Sequence, residues 1–104
     1  MNILKVIKDI KKSMKKHLAQ AECDIDLALK YKIEYPDIAK NQYNISIEEM
    51  NQFRTQHDMV ATLIANFKKE GHEVPEAMQA VYDYLHEEYM ECAAEIKAKQ
   101  EMFK

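Results

Sequence analysis

The sequence predicts an all-α fold, an up-down-up antiparallel bundle of three long helices, and three observations carry that expectation. The 104 residues include one Gly, two Pro and no Trp beside abundant Lys, Glu, Ala, Ile, Leu and Met, so strand and turn chemistry are nearly missing. Apolar residues recur every three or four positions through almost the whole chain, the period of a helix with one covered face. The breakers Pro36, Gly71 and Pro75 fall at two places and divide the chain into helices over about 2–34, 37–70 and 75–102. A chain of this length is expected to form one domain with a modest core.

The first helix carries the stripe Ile3, Ile7, Ile10, Met14, Leu18, Ala21 or Glu22, Ile25 and Leu29, with lysines opposite its first half. Ser13 offers a cap at which this helix can break. The basic N-terminal segment 1–17 holds six Lys and one Asp, whereas the rest of the chain is acidic and the whole carries a net charge of -3. That balance gives no general case for nucleic acid. A Lys-rich amphipathic start can still contact an acidic membrane surface or nucleic acid, but Ile3, Leu4, Val6 and Ile7 favour packing on the body of the protein. Lys5, Lys8, Lys11 and Lys12 interrupt any signal-peptide core, and no stretch approaches the roughly 18 apolar residues of a membrane span. Cys23 and Cys92 match no zinc spacing and are expected to be reduced thiols in a cytoplasmic protein.

Pro36 and Asp37 open the second helix, where proline suits the first turn and an acid suits the positive helix end. Its seam is Ala39, Tyr43, Ser46, Met50, Phe53, His57, Val60, Ile64 and Phe67. Beside it runs a second row, Ile45, Glu49, Gln52, Gln56, Met59 and Leu63, in which an acid and two amides interrupt the aliphatics. Gly71 ends the helix behind Lys68 and Lys69. Pro75 and Glu76 open the third helix, with the stripe Met78, Tyr82, Leu85, Tyr89, Cys92, Ile96 and Phe103. Short connections make successive helices antiparallel. Three such rods have little interior per unit length, so covering every stripe predicts a second copy, a homodimer or other homo-oligomer.

Antiparallel pairing also sets heights. If residue 34 faces residue 37, Glu22 lies level with Glu49, and across the second turn Glu49 lies level with Glu95, Gln52 with Cys92, and His57 with Glu88 as a buried pair. Glu88, Glu91 and Glu95 all fall within one turn of this layer. Facing carboxylates in a core must neutralise, find donors, reach solvent or hold a cation.

The stretch YNISIEEMNQFRTQHDMVATLI resembles the second helix of the ferritin-like (rubrerythrin-type) superfamily, and Glu22 within AQAECDIDLALKY matches that family's first-helix glutamate. The chain is also similar to small bacterial and phage proteins of uncharacterised function. The resemblance, over about residues 15–70, implies a ferritin-like bundle and a dinuclear Fe or Mn site with Glu22, Glu49 and Gln52 in its ligand positions, to which the height estimate adds an acid among Glu88, Glu91 and Glu95, the site being completed by a second subunit. Gln52 stands in the slot where the family has a histidine. No Gly-rich phosphate loop, ordered nucleophile or zinc signature supports an organic-cofactor enzyme. The reading that follows is a non-enzymatic cytoplasmic bundle acting by self-association or by binding another protein. A di-iron or manganese protein is the first alternative, and contact by the Lys-rich start with membrane or nucleic acid the second.

Overall fold

The structure, a computed structural model, describes residues 3–104, all helical apart from two short connections and the last residue. Asn2, the expected start of the first helix, and the side chain of Ile3 lie outside the described residues. Helix α1 is Ile3–Tyr31, α2 is Pro36–Lys69, α3 is Glu76–Tyr84 and α4 is Met90–Phe103, with a wide π turn, Leu85–Tyr89, joining the last two into one rod. The molecule is correspondingly elongated, 56 × 22 × 18 Å, close to the length of its longest helix.

Local chemistry explains each boundary. Pro36 is the first residue of α2, as its fixed φ favours. Helix α1 stops at Tyr31, three residues before the expected end, and Tyr35 N–H closes the turn on the Tyr31 carbonyl at 2.9 Å. At the other end of α2, Gly71 takes φ +79°, His72 N–H donates to the Phe67 carbonyl and Gly71 N–H to that of Lys68. This is a Schellman ending, which needs a left-handed residue after the helix. Pro75 stands just outside α3 and its carbonyl accepts from Met78 and Gln79. Helix α1 runs through Ser13 without a break.

Hydrogen bonds order the helices. Ser13 meets Gln56, His17 meets Glu49 and Ala21 meets Ser46, so positions that rise along α1 fall along α2. The third rod lies against both, with Glu22 beside Cys92 and Asp26 beside Lys99, rising together with α1. One apolar core joins all three rods: Ile7, Met14, Leu18 and Ile25 from α1, Met50, Phe53, Val60 and Ile64 from α2, and Met78, Leu85, Tyr89 and Ile96 from the third. The basic N-terminal stretch takes part in it, since Ile7 and Met14 are fully buried and the Lys11 ammonium lies 4.0 Å from the centre of the Tyr84 ring.

The π turn changes the third stripe. Leu85, Tyr89 and Ala93 are buried at successive steps of four, where the expected stripe steps from Tyr89 to Cys92. An added residue in one turn rephases everything after it by about 100°. Ala93, Ile96 and Gln100 therefore face inward, and Cys92 turns toward α1.

Candidate interaction face

Two parallel rows meet on one side of the bundle, away from the third rod. On α1 the row is Val6, Ile10, Ser13, His17, Gln20 and Asp24, spaced by four, three, four, three and four. On α2 it is the second row of the sequence, Ile45, Glu49, Gln52, Gln56, Met59 and Leu63. The middle of this seam is polar. Gln56 Nε2 donates to Ser13 Oγ at 2.8 Å, and His17 Nδ1 donates to Glu49 Oε2 at 2.5 Å, both partners about a quarter exposed. Asp24 accepts from Gln20 Nε2 at 3.1 Å, but its other oxygen and Oε1 of Gln56 are buried with no partner among the described residues. Orphaned buried acceptors are uncommon and ask for a donor from outside.

One end of the seam is apolar. Val6, Ile10, Met59 and Leu63, bordered by Thr55, Asp58 and Thr62, line an open groove of about 600 Å³. Met59 is 49% exposed there although helical phasing gives it an apolar neighbourhood. At the far end, Leu27 and Ile38 are also exposed.

The expected metal ligands do not converge on one ion. Glu49 is held by His17, and Glu22 points to the opposite flank of α1, where Cys92 Sγ donates to its Oε2 at 3.8 Å. Glu88 joins Glu22 in lining a small groove there with Lys15, Leu18 and Tyr89. Gln52, Glu91 and Glu95 are exposed. Among the described residues no group of three or more His, Cys, Asp or Glu side chains is placed to hold a metal ion, so this carboxylate set does not fit a dinuclear centre. Cys92 and Cys23 are free thiols. Burial, reinforced by the Glu22 carboxylate, pushes the Cys92 thiol above its usual range.

His57 does not pair with Glu88. Its ring lies 5.7 Å from that of Tyr82 and 6.0 Å from that of His86, and its Nδ1 is 3.9 Å from Asp58 Oδ1. Two further polar features escaped the sequence reading. His17 sits in the row that also holds Ser13 and Gln56, a spacing visible in the sequence but overshadowed by the aliphatic stripe beside it. Ser46, fully buried, donates to the Ala21 carbonyl at 2.9 Å and accepts from Gln100 Nε2 at 3.0 Å, tying three rods at one point.

No family model matches this chain, and neither a curated protein nor a solved structure matches it significantly. Among the described residues, no helix is long and apolar enough to cross a membrane.

Proposed function

We propose that the chain is an up-down-up helical bundle that works as a self-associating protein, a second copy covering the α1/α2 face in the opposite sense. The observation that carries this is the groove of Val6, Ile10, Met59 and Leu63, an apolar surface at one end of a seam whose middle is polar. Reversing a second copy about the His17–Glu49 level brings its Leu27 and Ile38 to that groove, and the contact is made twice. Charge supports the same sense. Lys5, Lys8, Lys11 and Lys12 come opposite the end that holds Asp24, Asp26, Glu34 and Asp37 beside Lys30, Lys32 and Lys40. A face 56 Å long and 22 Å wide has room for the roughly 800 Å² per partner of a stable interface.

Sedimentation at micromolar concentration tests this. A dimer is expected, weakened by raised salt, and Met59→Lys should shift it to monomer without loss of helix by circular dichroism. A wild-type monomer at tens of micromolar, or a dimer indifferent to Met59→Lys, overturns the reading.

A further inference from the structure

His57 and His86 form a second polar feature, on a different side of α2 from the α1/α2 seam. His86 lies on the side of the third rod that meets α2, its ring centre 6.0 Å from that of His57 with the planes 30° apart. Tyr82, one turn earlier, stacks on His86 at 6.0 Å and lies 5.7 Å from His57, so three rings close around one spot. His57 Nε2 is buried and has no hydrogen-bond partner among the described residues. Its other nitrogen faces the Asp58 carboxylate at 3.9 Å. With the proton on Nδ1, the Nε2 lone pair is free to take a ligand.

We infer that His57 and His86 are the protein ligands of a divalent-cation site for an imidazole-preferring ion of the zinc, copper or nickel class. Two imidazoles bound to one such ion, at metal–nitrogen distances of about 2.0–2.1 Å, have ring centres roughly 5 to 6.5 Å apart, and the observed spacing falls inside that range. The exposed His86 ring can turn toward the ion while the less exposed His57 ring holds its place. With two nitrogens and no oxygen cage, hard ions such as magnesium and calcium are disfavoured, and water fills the remaining positions. The site uses none of the carboxylates expected from the sequence. Neither histidine belongs to the α1/α2 seam, although Asp58, beside His57, also borders its groove.

The test is titration of the full chain with zinc chloride, followed by imidazole NMR and calorimetry, with magnesium chloride as control. One ion per chain is expected, shifting the His57, His86 and Tyr82 ring signals and leaving His17 and His72 in place. His86→Gln, a change at an exposed position, should weaken binding by more than the ~10- to 100-fold that loss of an outer-sphere partner costs. His57→Gln should do the same. The same titration on Met59→Lys should be unchanged, which separates this site from the dimer face. Absence of binding at millimolar zinc, full affinity in His86→Gln, or shifts centred on His17 or His72 would each overturn the assignment.

Discussion

Ser46→Ala should cost far more than the loss of one oxygen atom suggests. The hydroxyl is fully buried and its neighbour Gln100 is 4% exposed, so no water replaces what is removed. The Ala21 carbonyl lies inside α1 and keeps its helical bond, but Gln100 Nε2 loses the acceptor at 3.0 Å and becomes a buried unpaired donor. A net hydrogen bond is worth about 1 kcal/mol and a stranded donor costs about 1–3 kcal/mol, so the variant should lose about 2–3 kcal/mol. With a urea slope of about 1–3 kcal/mol/M the midpoint falls by roughly 1 M or more. Gln100→Met should cost less, about 1 kcal/mol, because Ser46 still donates to Ala21. The double variant strands nothing and should therefore be more stable than Ser46→Ala alone. Urea unfolding at one fixed protein concentration, since association shifts apparent stability, supplies all three values. A Ser46→Ala change within about 0.5 kcal/mol of wild type, or singles that simply add, would refute the buried three-rod node.

Other outcomes follow from burial, backbone geometry and thiol environment. Ile25→Ala, at a fully buried position, should destabilise by about 2–5 kcal/mol in the same unfolding assay, enough to threaten folding of so small a core. Gly71→Ala meets no atom of the described residues within 4 Å, so its cost should be the left-handed conformation alone, about 1–2 kcal/mol, and Gly71→Asn should recover part of it. Cys92 holds its proton to higher pH than an ordinary thiol, so at any neutral pH its thiolate fraction is lower, and alkylation should reach exposed Cys23 first and Cys92 only as pH rises. Mass spectrometry of timed reactions checks this, and Glu22→Gln should speed the Cys92 reaction. Lys99→Ala breaks a partly exposed 2.9 Å pair with Asp26 and should change stability by less than about 1 kcal/mol, less still in high salt.

The helices were legible because their ends carry residues with few other uses. Gly71 has the positive φ that its place behind Lys68 and Lys69 implies, and Pro36 opens α2 where a missing N–H does no harm. The π turn was not legible, because LHEEY contains neither Gly nor Pro and helical spacings of three and four fit it equally well. Its trace is the run Leu85, Tyr89, Ala93, two steps of four in succession, which becomes distinctive only once Cys92 is known to face α1. The end of α1 was not legible for a related reason. Ile33 continues the apolar pattern past Tyr31 yet is 92% exposed, and nothing between Tyr31 and Pro36 marks an earlier stop.

That early stop moves the whole α1/α2 register. With Tyr31 rather than residue 34 facing the start of α2, Glu49 falls level with His17 and Leu18 instead of Glu22. Height alone would not have joined the two acids even in the expected register. Glu22 is five residues beyond His17, and at about 100° per residue it projects from α1 about 140° away, toward the third rod. The same distinction separates His57 from Glu88. Glu88 and His86 stand at nearly one height, but two residues turn a helix by about 200°, so one of them borders the groove along α1 while the other meets α2. Matching heights between neighbouring rods therefore identifies the layer in which polar groups lie, and angular phase decides which of them touch. In this protein the phase takes Glu22 and Glu49 to different flanks and selects His86 as the neighbour of His57.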